Sequence, residues 1–216
     1  MTALERYRDL GREQGLAAGL TAVLEGIDPA DTAPGSAAVL PARLVRPSHR
    51  VVPHPFAALE SLAVVRFPRP GSHPSPGVGA SAATRAGGGL PGPYAARLAA
   101  VRIGVLARLL DAAVERLAQR RFGGVPLLDQ QLVRAALADV TAEIETATAA
   151  ARWAHTTPEA AWAWHERLTE AGWKTARLFG AEGYLTDHPA RGLHLSALTA
   201  DLWLARPPAR EGARTP

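Results

Sequence analysis

The chain has no cysteine, one lysine, one methionine and no uninterrupted apolar run of membrane-spanning length. Without cysteine, disulfides, thiolate chemistry and finger-type zinc sites are excluded, which fits a reducing, cytoplasmic setting. The longest apolar runs are broken by arginine or glycine well short of the ~20 residues a membrane helix needs. Met1 to Leu24 carries charges throughout and lacks an apolar core, so no secretory signal is expected. The shortage of lysine is balanced by arginine: 23 of the 24 basic residues are Arg, Lys174 being the exception, with a net charge of +4 and a pI near 10.3. Those arginines are interleaved with acids and form no basic stripe with stacking aromatics, so no nucleic-acid partner is expected. What is present is 47% hydrophobic residues, enough for a proper core in a chain of 216.

The chain is organised around Leu98 to Asp139. Leu98, Val101, Val105, Leu109, Ala113 and Leu117 recur every three or four positions, and Val133, Leu137, Val140 and Ile144 repeat the pattern. Two long helices therefore flank the break Arg120-Arg121-Phe122-Gly123-Gly124-Val125-Pro126, where paired glycines and a proline stop one helix and launch the next. Arg120 and Arg121 crowd two guanidinium groups beside flexible backbone. Gln131 is expected one turn into the second helix, so charge and an amide edge could hold an anion together.

In chain order, Thr2 to Leu24 reads as one amphipathic helix with Thr2 as N-cap and Glu5 as the capping-box acid. Gly11, Gly15 and Gly19 form a smooth stripe that either admits another helix closely or marks a marginal surface helix. Ile27 to Pro93 holds twelve of the eighteen prolines and excludes any long helix. Short strands are expected at Ala38 to Leu40, Arg43 to Val45, Arg50 to Val52 and Leu62 to Phe67, and a linker from Pro68 to Pro93. His49, His54 and His73 lie here without metal-ligand spacing, and no metal site is expected. From Pro93 a bundle begins, its helices reaching to Phe122, from Leu128 to His155, from Thr157-Pro158-Glu159 to Gly180, and from Pro189 to Leu204. Trp153, Trp162, Trp164, Trp173 and Trp203 all belong to this half and are read as packing residues. The fold class expected is mainly α: an N-terminal helix (1–26), a Pro/Gly-rich region with short strands (27–92), an up-and-down four-helix bundle (93–206) and a disordered tail (207–216).

The run Arg120, Arg121, Phe122, Gly123, Pro126, Gln131 and Leu137-Ala138-Asp139 resembles the hairpin of the C-terminal helical domain of acyl-CoA dehydrogenases. Gly180-Ala181-Glu182-Gly183-Tyr184, followed by Asp187-His188-Pro189, is similar to that family's Gly-Gly-x-Gly-Tyr turn and next helix start. The two matches stand in the family's order; the first 90 residues carry none. The resemblance implies a flavin-dependent oxidoreductase subunit acting on acyl-CoA or acyl-carrier thioesters. It implies an FAD whose adenine-diphosphate part is held by Arg120, Arg121, Phe122, Gln131, Arg177, Gly180, Gly183 and Tyr184, commonly against a neighbouring subunit. Either a homo-oligomer or a hetero-oligomer with a full-length family chain would supply that neighbour. Ordinary helix-end chemistry is the alternative for the same residues.

The departures are as informative. Arg177 stands where the family has Gln, Ala181 where it has the second Gly, and Leu195-Ser196 where it has an Arg-Asp pair. The two places that hold the family's catalytic glutamate fall near Leu204 and Tyr94, so no catalytic residue is assigned; Glu182, Asp187, Asp201, His188 and His194 are the acids and imidazoles nearby. The N-terminal helical domain of the family is missing, and any β-domain is vestigial. Besides the flavin subunit, two readings stay open: a catalytically inactive dimerising module, and a repurposed flavin-independent enzyme.

Overall fold

The computed structural model describes residues 2–67, 88–151 and 157–207. At its start the capping box forms as expected: Thr2 Oγ1 accepts from the Glu5 amide at 3.3 Å, and the Glu5 carboxylate accepts from the Thr2 amide at 2.6 Å. The helix it launches is not continuous. Gly15, at φ 85° and ψ −176°, divides it into α1 (Ala3–Gln14) and α2 (Leu16–Val23). The other two glycines of the stripe meet the long helix α4 (Gly92–Gln119). A Cβ on Gly11 would overlap the Val101 carbonyl and one on Gly19 the Val101 side chain, while a Cβ on Gly104 would overlap the Arg8 carbonyl. Close helix approach is thus the role of Gly11 and Gly19, and the kink is the role of Gly15.

After a single turn, α3 (Pro29–Thr32), comes a three-stranded antiparallel sheet in the order β1-β3-β2, formed by β1 (Ala37–Pro41), β2 (Arg50–Val52) and β3 (Leu62–Arg66). The strand expected at Arg43 to Val45 is absent. Pro41 ends β1, and Ala42–Leu44 curls into a 3-10 turn closed by Val45 N to Ala42 O, with Ala42 N bound to Ser61 O instead of a strand partner. The edge of β1 is covered by the last helix, where the Trp203 indole donates to Val39 O at 2.8 Å. The two described histidines of this region cap turns: His49 Nδ1 accepts from Arg46 N, and His54 Nδ1 from Phe56 N. His73 and most of the expected linker, residues 68–87, lie outside the described residues, as do Trp153 and residues 208–216 of the tail.

The bundle consists of α4, α5 (Gln131–Ala151), α6 (Pro158–Leu178) and α7 (Arg191–Trp203). Thr157 caps α6 through Ala160 N, with Pro158 at its first position. Leu98, Val101, Val105, Leu109, Ala113 and Leu117 are buried, as their spacing required. One core runs from Leu16 and Leu20 through Val39 and Leu40 to Leu98, Leu195 and Trp203.

Between α4 and α5 the glycine break is more ordered than a loop. Arg121–Phe122 (β4) pairs with Val125–Pro126 (β5), and Gly123 (φ 58°) and Gly124 (φ 83°) make the two-residue turn. Two successive positive φ values match the right-handed twist of a tight hairpin and leave glycine the natural occupant of both positions. The first helix therefore stops at Gln119 rather than Phe122. A 3-10 turn at Leu127–Asp129 delays the second, so Gln131 is its first residue and not one turn inside.

Candidate functional site

The C-terminal ends of α4 and α6 and the N-terminal end of α5 meet at one pole of the bundle. Arg116, on α4, reaches the turn Gly180–Tyr184 after α6 and places Nη2 2.6 Å from a Glu182 carboxylate oxygen. Its Nε is buried without a hydrogen-bond partner. The hydrogen bond from Arg116 holds the Glu182 carboxyl below its ordinary range, with the charges of Arg116, Arg120 and His188 acting in the same sense. Arg120, the extended residue that follows Gln119 at the end of α4, contributes its charge to that effect. Arg121 is spent differently: Nη1 donates to Gly124 O at 2.9 Å and closes its own hairpin.

The remaining residues that the motifs singled out divide into exposed side chains and structural glycines. Phe122 is 76% and Tyr184 54% exposed, which leaves both rings free for a partner surface; Gln131 and Arg177 are also exposed. Gly180, at φ 67°, ends α6 in the left-handed region. Gly183 is buried, and a Cβ there would press on the Ala176 carbonyl oxygen at 2.5 Å. Both glycines thus serve the turn itself. The fold brings Arg120 and the glycine turn together, and adds Arg116, which the motif comparison missed. Its one sequence signal is its place as a basic residue in the last turn of the helix, four residues before Arg120.

A second polar cluster lies in the middle of the bundle. Arg102 on α4 is 2% exposed and makes no ion pair among the described residues. Nε donates to Ser196 Oγ (2.9 Å), Nη1 to His165 Nδ1 (2.8 Å) and His165 O (3.0 Å), and Nη2 to Thr169 Oγ1 (2.7 Å). A guanidinium only donates, so His165 Nδ1 is the acceptor and Nε2–H faces Ala95 O at 3.2 Å. Burial, then the positive charge of Arg102, push His165 down to about 3, so the ring is neutral at physiological pH. Burial likewise lowers Arg102 to about 10, opposed by Asp201 and Glu166. Ser196, standing where the resembled family has a charged residue, is one of the acceptors. This cluster ties α4, α6 and α7 together.

Of the acids and imidazoles considered as bases, Asp187 and Asp201 are exposed, and the other three are otherwise engaged. Glu182 is ion-paired. His188 Nδ1 accepts from Ala190 N, and burial, then Arg116, lower its pKa. His194 is wedged between Phe56 (5.6 Å) and Trp173 (4.5 Å), and burial lowers it too. Leu204 is buried, and Tyr94 lies under the Arg97 guanidinium at 4.6 Å. Among the described residues no group of three or more His, Asp and Glu side chains could hold a metal ion, and no helix is long and apolar enough to cross a membrane.

A four-helix bundle entered through a small antiparallel sheet, with a glycine hairpin and a glycine turn near one pole, defines a domain of the helical-bundle class. Residues 94–204 match the family model of the acyl-CoA dehydrogenase C-terminal domain, and the chain belongs to that family. Solved structures that match part of the chain include an acyl-CoA dehydrogenase-like protein of Mycobacterium smegmatis, with 18% identity, a TM-score of 0.47, and coverage of 70% of this chain and 44% of that one. A prolyl acyl carrier protein oxidase matches at 18% identity and a TM-score of 0.46, over 71% of this chain and 45% of that one. A glutaryl-coenzyme A dehydrogenase matches at 20% and 0.47, over 71% and 42%. The chain therefore spans less than half the length of these structures. No curated protein sequence matches it.

Proposed function

We propose that the chain is a subunit of a flavin-dependent oxidoreductase of the acyl-CoA dehydrogenase type, acting on acyl-CoA or acyl-carrier thioesters in the cytoplasm. Its bundle pole completes an FAD site held mainly by a partner chain, either a second copy or a longer member of the family. The observation that carries this reading is Glu182: a carboxylate already occupies a cationic corner formed by Arg116 and Arg120 against a glycine turn. A carboxylate stands in for phosphate oxygens, and the Arg116 terminal nitrogen that holds it would hold a phosphate oxygen in the same way. The residues thus fit the diphosphate part of the cofactor, with Arg116 and Arg120 as its counter-charges and Gln131 as an amide at the edge. When bound, FAD supplies the hydride acceptor for oxidation of the thioester.

The rest of the pole suits a partner chain. Phe122, Val125, Leu132, Tyr184 and Leu185 are exposed around it, Leu132 to 84%, an apolar rim of the kind that a second subunit covers. With no carboxylate at Leu204 or Tyr94, the base for α-proton removal falls to the partner.

Co-expression with a longer family chain, followed by an absorbance spectrum of the purified complex with and without added FAD, tests the proposal. A flavin spectrum that requires both chains is expected; a colourless pair that never co-purifies rules it out. The second reading, a catalytically silent interaction module, is favoured by the neutralising Arg116–Glu182 pair. It is selected if alanine at Arg120, Arg121 and Gln131 leaves the activity of the assembly intact.

A further inference from the structure

A concavity lies away from the bundle pole, between the pair α1–α2 and the turn after β1, with a volume of about 920 Å³. That is the size of a small-molecule site. Its helical wall is the stripe Arg6, Leu10, Gln14, Ala17, Ala18 and Thr21, spaced by three and four residues and distinct from the glycines that face α4. The wall is divided at Gly15, where α1 gives way to α2, and Arg43, Leu44 and Ser61 line the opposite side.

Three features mark the groove as more than a gap. Its helical wall is lined largely with methyl groups, which leave room for an apolar chain. Ser61 is the one non-glycine residue with positive φ (54°) among those described, a conformation that costs of order 1 kcal/mol or more and collects at functional sites. The charge is also uncompensated. Neither Arg6 nor Arg43 is ion-paired among the described residues. Arg43 Nε donates to Thr21 Oγ1 at 3.1 Å, which fixes the plane of the guanidinium and leaves its terminal nitrogens for a ligand. Against these two cations the lining offers one carboxylate, Glu25.

We propose that this groove binds an anionic amphiphile: a carboxylate or phosphate held between Arg6 and Arg43, with its alkyl chain along Leu10, Ala17, Ala18 and Ala22. Two guanidinium groups without stacking aromatics suit one small anion rather than a polyanion, and the methyl-lined wall selects a thin chain over a bulky ring. The proposal is independent of the flavin reading, since it uses none of the residues at the bundle pole.

The test uses the purified chain with anilinonaphthalene sulfonate as a fluorescent probe and dodecanoate, dodecyl phosphate and dodecanol as competitors. Dodecanoate and dodecyl phosphate should displace the probe, with dodecanol at least about tenfold weaker. Arg6→Ala and Arg43→Ala should each weaken the anions about tenfold and leave dodecanol unchanged. Both side chains are exposed, so folding is retained; Ala18→Trp, which fills the groove, should abolish displacement by all three. Equal affinity for dodecanol, anion binding that survives the double arginine variant, or no displacement at all would overturn the proposal. Co-sedimentation with phosphatidylglycerol vesicles separates the two sources of the anion. Recruitment that depends on Arg6 and Arg43 assigns a lipid headgroup, and displacement without recruitment assigns a free amphiphile.

Discussion

Helix α4 carries arginines in two opposite settings. Arg102, at its middle, is buried and has every nitrogen engaged by a neutral acceptor. Arg116 and Arg120, at its end, stand beside a single carboxylate, and Arg116 keeps a buried Nε without a partner. The same residue type on the same helix is architecture in one place and a candidate ligand grip in the other. What separates them is whether the donors are already used. A saturated guanidinium holds the fold and offers nothing to a ligand, whereas one with donors to spare adds little to stability and is available for chemistry.

The comparison breaks if the two ends respond alike to substitution. Arg102→Ala should lower stability by about 3–5 kcal/mol, because it leaves a cavity and strands the acceptors of Ser196 and His165. Arg120→Ala should stay within about 0.5 kcal/mol. Urea unfolding midpoints measure both, and equal shifts would remove the distinction.

The pH response should be the next largest effect. His165 titrates near 3 in the folded chain and near ~6.5 when unfolded. A depressed folded pKa means that the unfolded state takes up the proton first. The contribution of His165 is therefore complete above about pH 6.5 and is lost progressively as pH falls toward 3, on the order of 4 kcal/mol over the whole window. His188 and His194 are shifted in the same direction. Unfolding midpoints of His165→Gln, which keeps an acceptor and a donor but cannot titrate, should fall less steeply with acid than those of the native chain.

The pole can be sharpened by calorimetric titration with ADP. Glu182→Gln removes the competing carboxylate and should tighten binding about three- to tenfold, while Arg116→Ala with Arg120→Ala should abolish it. Binding that is unchanged in Glu182→Gln would show that the carboxylate does not guard the corner. The smallest effect is expected from Arg121→Ala: ADP affinity within about twofold but faster amide exchange at Gly123 and Gly124, since that side chain closes its own hairpin.

Much of the architecture was legible because it rests on periodicity and punctuation. The apolar repeat from Leu98 to Leu117 names the buried face of α4, Thr2 with Glu5 announces the first cap, and Thr157-Pro158 announces α6. The motifs of the hairpin and the glycine turn likewise led to the family. Short-range geometry was less readable. Strands of two residues such as Arg121–Phe122 are too brief to show alternation, and Arg43 to Val45 looks extended until Pro41 forces the chain to turn. Least readable were the contacts made across the bundle. In sequence Arg102 merely interrupts an apolar run, and its acceptors lie on α6 and α7; Arg116 finds its partner only when α6 returns beside α4. The methyl-lined groove is walled by two helices that part at Gly15, and one glycine in a helical pattern does not reveal such a break.

The backbone-to-backbone crossing of α1 and α4 at Gly11, Val101 and Gly104 bears on how the molecule is made. α1 has its tightest contact with a segment synthesised much later, after the whole sheet region. Until α4 emerges, that helix has nothing to seat its glycine face, so α1 is made early and seated late. Such long-range pairing slows the search for the native state and leaves α1 dependent on the completion of α4 for its stability.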